Sequence, residues 1–223
     1  MKEKLTELVM ILDRSGSMGG LESDTIGGYN SMLKKQMETE GDVLVSTVLF
    51  DDRSELIFDR VPLEEMPELT EETYYVRGCT ALLDAVGGAI RHIETIQKHI
   101  REEDRPERTI FVITTDGLEN ASREYSCEQV KEMVDRRKKD GGWEFIFLGA
   151  NIDAVETARR IGISADRAAN YHSDREGTAL NYTVLAEAVS DMRCSDRRIG
   201  GGWKKRIDDD FRKRGTSRRG RKK

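Results

Sequence analysis

Residues 5–17 read LTELVMILDRSGS, a nearly continuous apolar run that ends in a short polar segment rich in hydroxyl groups. Apolar residues at consecutive positions are typical of a strand that is buried on both faces, as in the centre of a parallel sheet. We therefore predict a central strand over residues 5–12. The segment Asp13-Arg14-Ser15-Gly16-Ser17 is then the loop at the carboxyl end of that strand.

Short apolar runs alternate with longer stretches of helical periodicity along the rest of the chain, which is the pattern of an α/β domain with a largely parallel sheet. The turn at residues 51–53 leaves too little chain for a crossover, so the strand after it is predicted to be antiparallel and at the sheet edge. Further strands are predicted at residues 43–50, 55–61, 109–115, 143–148 and 167–171. Helices are predicted at residues 25–38, 82–100, 126–139, 153–160 and from about 173 to 192.

Two segments match the capping box, in which a serine and a Glu or Gln three residues later exchange hydrogen bonds at a helix N-terminus. They are Ser126 with Gln129, and Ser173 with Glu176. Each pair is therefore predicted to open a helix.

The charge of the chain is unevenly distributed. Residues 197–223 carry thirteen Lys and Arg against three Asp, a formal charge of +10, within a chain of 223 residues whose formal net charge is −5. The rest of the chain is therefore acidic, at −15. Because Gly200-Gly201-Gly202 interrupts regular structure and the last twelve residues lack apolar side chains, we predict one domain over residues 1–195 and a disordered basic tail over 196–223.

Composition argues against several classes of protein. The longest apolar runs fall far short of the roughly 20 residues that a membrane-spanning helix needs. The N-terminus enters the first strand without the pattern of a secretion signal, so we expect a cytoplasmic protein. The cysteines, Cys79, Cys127 and Cys194, are widely spaced, which argues against a disulfide framework or a zinc knuckle.

Hydroxyl and carboxylate oxygens lie at the predicted carboxyl ends of several strands, where ligands of doubly wound α/β folds gather. Asp13, Ser15 and Ser17 follow the first strand. Thr80 closely precedes the second predicted helix, and Asp116 follows the fourth predicted strand. Hard oxygen atoms select Mg²⁺, Mn²⁺ or Ca²⁺ rather than zinc, so we predict a divalent metal site here.

This combination of Asp-x-Ser-x-Ser, a distant Thr before a helix and a distant Asp after a strand resembles the metal-ion-dependent adhesion site (MIDAS) of von Willebrand factor A (vWA) domains. The match extends over roughly residues 5–192, and all five positions agree. The resemblance implies a Rossmann-like, doubly wound and mostly parallel sheet with one antiparallel edge strand and helices on both faces.

The resemblance also implies roles for the site residues. Ser15 and Ser17 would contact the ion directly, and Thr80 would contact it directly or through water. Asp13 and Asp116 would coordinate largely through water. Mg²⁺ is the expected ion, with Mn²⁺ or Ca²⁺ as alternatives. In the family an acidic side chain of a protein partner often fills the open coordination position, so we expect a metal-dependent protein-binding module.

Two other functions are compatible with the sequence. A metal-dependent hydrolase would need a base or nucleophile beside the ion, and the site loops contain no His and only Cys79, so we expect no enzymatic activity. The basic tail would alternatively bind nucleic acid through its phosphates, with an affinity that falls as salt is added.

Other polar residues near the predicted site have simpler interpretations. Asp51 and Asp52 are predicted to be turn residues, and Asp84 to be a first-turn charge that the helix dipole favours. Glu119 and Asn120 are candidates for the rim of the site. Gly27 and Gly28 are predicted to permit close helix packing rather than to touch a ligand.

Overall fold

The structure, a computed structural model, describes residues 2–194 and 199–220. Its strands are β1 (Lys2–Asp13), β2 (Val43–Phe50), β3 (Ser54–Pro62), β4 (Pro106–Thr115), β5 (Glu144–Ala150) and β6 (Ala168–Tyr171). Its helices are α1 (Glu22–Met37), α2 (Leu82–His99), α3 (Cys127–Asp140), α4 (Ala154–Arg160), α5 (Arg175–Cys194) and α6 (Lys205–Gly220). None of the helices in the described ranges is long and apolar enough to cross a membrane.

The six strands form one sheet in the order β3-β2-β1-β4-β5-β6. Every neighbouring pair is parallel except β2 and β3, which are antiparallel. The predicted central strand and the predicted antiparallel edge strand are therefore confirmed. Along β3 the register with β2 shifts twice, and Arg60 adopts a left-handed backbone with φ of 52°.

Helices cover both faces of the sheet because successive side chains of a strand point in opposite directions. Leu8, Met10 and Leu12 of β1 belong to one apolar cluster, which α1 and α5 complete. Val9 and Ile11 belong to a second cluster, which α2, α3 and α4 complete. All five side chains are at most 1% exposed, and full burial of such a side chain stabilises the fold by about 1.5–3 kcal/mol. The doubly wound α/β prediction is confirmed.

The two helices on the first face approach closely at a glycine. A β carbon added to Gly28 of α1 would lie 2.2 Å from a ring carbon of Tyr182 on α5, which no real pair of atoms tolerates. Gly28 thus has the packing role that the sequence predicted. A β carbon on Gly27 would meet no atom within 4 Å, so this glycine has no comparable role.

The two predicted capping boxes have different outcomes. Ser126 and Gln129 exchange both hydrogen bonds at the start of α3, as predicted. At α5 the backbone N–H of Gly177 donates instead to Asp174 Oδ1, at 2.9 Å. The hydroxyl of Ser173 points elsewhere, so the second capping-box prediction is wrong.

The C-terminal segment differs from the predicted disordered tail. Residues 199–220 include a short turn of 3₁₀ helix and α6, and residues 195–198 and 221–223 lie outside the described residues. Ile207 is 1% exposed, Trp203 packs against the first apolar cluster, and Phe211 stacks on His172. These three apolar residues recur at intervals of four, a helical stripe that the high charge of the segment concealed.

Candidate metal centre

The predicted site residues lie together at the carboxyl edge of the sheet. Asp13 is the last residue of β1, and Asp116 follows the last residue of β4, the strand beside it. Thr80 lies two residues before α2. Ser15 and Ser17 belong to the loop after β1, in which Gly16–Met18 forms a turn of 3₁₀ helix.

Asp13 is fully buried and connects two of the loops. Its Oδ1 accepts the backbone N–H of Ser15 at 2.7 Å. Its Oδ2 accepts the hydroxyl of Thr115 at 2.6 Å and the backbone N–H of Asp116 at 3.2 Å. The hydroxyl of Tyr74 donates to the backbone oxygen of Asp13 at 2.6 Å. Three donors thus fix the carboxylate of Asp13, and a fourth fixes its backbone oxygen.

The hydroxyls of Ser15 and Ser17 face each other, with 3.0 Å between their Oγ atoms. Ser15 is buried and Ser17 is exposed, so the pair reaches from the interior to the surface. The backbone N–H of Gly16, between them, donates to the backbone oxygen of Gly78 at 3.2 Å. The first loop is therefore attached to the loop that carries Thr80.

Thr80 reaches the same place from the other side. A β carbon added to Gly117 would lie 3.0 Å from Thr80 Oγ1 and 3.2 Å from Ser17 Oγ, so the three loops converge around this glycine. Asn120 holds Thr80 in position, because its side-chain oxygen accepts the N–H of Thr80 at 2.9 Å and its own N–H donates to the Thr80 backbone oxygen at 3.0 Å.

Asp116 is held by side chains from two further loops. Its Oδ1 accepts a hydrogen bond from the amide of Asn151, which follows β5, and its Oδ2 accepts the hydroxyl of Ser173, which follows β6, at 2.5 Å. Burial raises the pKa of Asp116 above its ordinary value, and these two hydrogen bonds counteract part of that rise. Sequence reasoning missed both donors, although each follows a predicted parallel strand and so belongs to this edge.

The chemistry of the donors fits a hard divalent cation. The hydroxyls of Ser17 and Thr80 approach the same glycine, and the hydroxyl of Ser15 lies 3.0 Å from that of Ser17. Asp13 and Asp116 stand at the ends of two adjacent strands. Across residues 2–194 and 199–220, no group of three or more His, Cys, Asp or Glu side chains could hold a metal ion. A cation at this edge would therefore depend on hydroxyl oxygens, which suit Mg²⁺, Mn²⁺ and Ca²⁺ better than softer ions.

The acidic residues near the site have structural roles that the sequence described incompletely. Asp51 lies in the turn after β2, as predicted, and its Oδ1 accepts the N–H of Arg53 at 3.0 Å. Its side chain is also fully buried and ion-paired, which the sequence did not indicate. The carboxylate of Asp84 accepts the backbone N–H groups of residues 123–125. Glu119 accepts the N–H of Leu83 at 3.0 Å and so caps α2.

Solved structures share this fold at low sequence identity. The von Willebrand factor domain of the type V pili tip protein Mfa5 from Porphyromonas gingivalis has a TM-score of 0.62 and 11% identity, over 87% of this chain and 98% of that one. Proximal thread matrix protein 1 from the mussel byssus, with a zinc-occupied MIDAS motif, has a TM-score of 0.58 and 13% identity. That match covers 83% of this chain and 46% of the mussel protein, so this chain spans about half of its length.

A third similar structure is that of manganese-loaded TRAP protein from Plasmodium vivax, with a TM-score of 0.53 and 14% identity over 81% of this chain and 72% of that one. No family model matches this sequence, and no curated protein matches it. The order of the strands, the antiparallel edge pair and these similar structures together show that the chain has the fold of a von Willebrand factor A domain.

Proposed function

We propose that this chain is a metal-dependent protein-binding module of the vWA type. Ser15, Ser17 and Thr80 would hold a divalent cation, with Asp13 and Asp116 behind them contributing largely through water. The observation that supports this most strongly is the convergence of three loops around Gly117, where the hydroxyls of Ser17 and Thr80 approach the same point.

A protein partner would bind by offering a carboxylate to the cation. The three hydroxyls are neutral, so the negative charge of the site comes from only two aspartates. A cation held in this way keeps much of its positive charge and attracts a further anionic oxygen ligand. We propose Mg²⁺ as the ion because all the donors are hard oxygens. The MIDAS motif of the mussel protein is occupied by zinc, and the Plasmodium protein is manganese-loaded.

We propose binding rather than catalysis. The loops at residues 13–18, 78–82 and 116–121 contain no His, and their one Cys, Cys79, is exposed. His is the most frequent general base and Cys the most reactive nucleophile of this kind.

The first test is thermal unfolding with and without Mg²⁺ or Mn²⁺. A ligand at 100 times its dissociation constant stabilises the folded state by about 2.7 kcal/mol, so the melting temperature of the wild-type protein should rise. The double variant Ser15→Ala, Ser17→Ala should lose this rise. Ser31→Ala, at an exposed serine of α1, is the matched control and should keep it. A wild-type melting curve that is unaffected by millimolar concentrations of both ions would refute the metal site.

The second test concerns the partner. Affinity capture with the intact protein should recover a partner that EDTA releases and that the double variant does not recover, while the circular dichroism of the variant stays native. A complex that survives chelation would place the binding surface elsewhere.

A further inference from the structure

Arg14 is the second residue of the Asp-x-Ser-x-Ser segment, and its side chain is only 1% exposed. Its Nε donates to Asp51 Oδ2 at 2.7 Å, and its Nη2 lies 2.9 Å from Glu55 Oε1. An arginine buried without partners would cost several kcal/mol. The loop that carries Ser15 and Ser17 therefore depends on these two carboxylates.

A second arginine binds the same two carboxylates. Nε of Arg77 donates to Asp51 Oδ2 at 2.7 Å, and its Nη2 donates to Glu55 Oε1 at 2.5 Å. The ring of Tyr75 lies beside both guanidinium groups, with 5.5 Å from its centroid to Arg14 Cζ and 5.4 Å to Arg77 Cζ. We call these five residues the arginine cluster; its two positive and two negative charges cancel.

Asp51 is charged in this cluster. Burial by itself raises the pKa of Asp51, but the hydrogen bonds from Arg77 and its other donors outweigh that effect and hold the pKa below its ordinary value. The ion pairs with both arginines are therefore present throughout the neutral range of pH.

Backbone hydrogen bonds connect the cluster to the metal loops. The N–H of Arg77 donates to the backbone oxygen of Arg14 at 2.9 Å, which joins the segment before Thr80 to the loop after β1. The N–H of Ala81, the residue after Thr80, donates to the backbone oxygen of Asp51 at 2.7 Å. The arginine cluster thus lies where the first metal loop, the β2–β3 turn and the Thr80 loop meet.

The separation of the hydroxyls matters because neutral oxygens attract a cation weakly unless they are already in place. Sites of this kind must be held within about 0.5 Å of the productive geometry by the residues that surround them. Ser15 and Ser17 lie on one loop and Thr80 on another, and the cluster joins the two.

We propose that the arginine cluster is the positioning device of the metal site, and that Arg77 and Arg14 set cation affinity by fixing Thr80 relative to Ser15 and Ser17. This inference rests on the proposed metal function. Neither arginine offers an atom to the ion, because a guanidinium group has only donors.

Charge alone predicts the opposite effect, which makes the proposal testable. Arg77→Gln leaves the cluster with one net negative charge close to the site, and a nearby negative charge should strengthen cation binding. Loss of positioning should weaken it. Arg77 is the better residue to change, because its side chain is 38% exposed and its removal leaves Asp51 still paired with Arg14.

The experiment is a calorimetric titration of the full chain with Mn²⁺, at a temperature where circular dichroism shows every variant to be folded. We expect Arg77→Gln to raise the Kd about tenfold, the size typical of residues that support metal ligands from behind. Arg77→Lys keeps the charge but cannot bind both carboxylates in the same way, so it should restore the affinity only in part. Arg136→Gln is the matched control, since Arg136 is a half-exposed arginine paired with Glu94 away from the site, and its Kd should equal that of the wild type.

Hydrogen exchange supplies a readout that does not involve the metal. The amide proton of Ala81 should exchange faster in Arg77→Gln than in the wild type, because its acceptor, the backbone oxygen of Asp51, is less firmly held. A Kd for Arg77→Gln equal to or lower than the wild-type value would overturn the proposal and leave the metal function standing. A wild-type protein that does not bind Mn²⁺ would overturn both.

Discussion

Asp13 is the last residue of β1, and Asp116 follows the last residue of the neighbouring strand β4. The two carboxylates are nevertheless held by different kinds of hydrogen-bond donor. Asp13 accepts two backbone N–H groups and one hydroxyl, all from its own loop or from the end of β4. Asp116 accepts only side chains, from the loops after β5 and β6. The surroundings of Asp13 are therefore built into the sheet, whereas those of Asp116 depend on how distant loops pack.

This difference predicts that the stability of the fold depends more on Asp13 than on Asp116. Backbone donors cannot turn away when their acceptor is removed, and a buried donor without an acceptor costs about 1–3 kcal/mol. Side-chain donors can rotate toward water.

Asp13→Ala should have the largest effect on stability. The change leaves the N–H groups of Ser15 and Asp116 without their acceptor, so the free energy of unfolding should fall by roughly 3–4 kcal/mol. Asp116→Ala should cost about 1 kcal/mol, because Asn151 and Ser173 can find new partners. Urea unfolding in EDTA measures both without a contribution from bound metal. Equal losses in the two variants would contradict the comparison.

Glu7 offers a third buried carboxylate, on the same strand as Asp13 but without backbone donors. Burial raises its pKa to about 7, although Arg60, with Nε 2.9 Å from Oε2, opposes the rise. Between the ordinary value of 4.5 and about 7 the folded protein keeps a proton that the unfolded chain has released. The contribution of Glu7 to stability is therefore complete below pH 4.5 and is lost as pH rises through 7, by roughly 3 kcal/mol.

Glu7→Gln should remove this part of the pH dependence, since glutamine does not titrate. The measurement is the free energy of unfolding of both proteins from pH 4.5 to 8. The wild-type curve should fall relative to the variant curve as pH rises, and parallel curves would show that Glu7 is charged in the folded protein throughout.

Ser173→Ala removes one of the two donors to Asp116 and should cost about 1.5 kcal/mol, the lower end of the range for a single hydrogen bond to a charged group. Ser126→Ala, which removes the N-cap of α3, should cost a similar amount and serves as a comparison far from the metal loops. The two variants should differ in Mn²⁺ affinity, because only Ser173 touches a predicted ligand. A Kd for Mn²⁺ that is unchanged in Ser173→Ala would show that the metal site does not need the hydrogen bond from Ser173 to Asp116.

The smallest effect should come from α6. Arg214 donates to both carboxylate oxygens of Asp174, at 2.8 and 2.6 Å, and so attaches α6 to the residue after Ser173. Arg214→Gln should lower the free energy of unfolding by about 0.5 kcal/mol, since this pair is partly exposed. Arg206→Gln, at a more exposed arginine of the same helix that pairs with Glu187 of α5, should change it less. Faster amide exchange in α6 of the first variant alone would support the attachment, and equal exchange in both would oppose it.

Much of the fold could be predicted because its signals are local. The predicted bounds of β2 match the structure, and the strand ends that carry Asp13 and Asp116 follow from runs of apolar residues alone. A continuous run of apolar residues indicates burial on both faces, which is the environment of a central parallel strand.

The missed features depend on partners that are distant in sequence. Ser173 fits a capping box, yet its hydroxyl bonds Asp116, 57 residues away. Asp51 lies in a turn, yet two arginines from other loops surround it. The helical stripe of Trp203, Ile207 and Phe211 was hidden because its apolar residues are few among many charges. In each case a local sequence pattern suggested one role for the residue, and the packing of distant segments gives it a different or additional role.

The two edge strands of the sheet bear on whether copies of this chain will aggregate. An open edge presents a row of N–H and C=O groups to which another molecule can add a strand. At β3 the shifts in register and the left-handed Arg60 interrupt that row. At β6 the C-terminal segment lies over the edge, and the ammonium group of Lys204 donates to the backbone oxygen of Ala168 at 2.5 Å. Shortening the chain before residue 199 would therefore do more than remove positive charge: it would uncover a strand edge and favour the growth of fibres from β6.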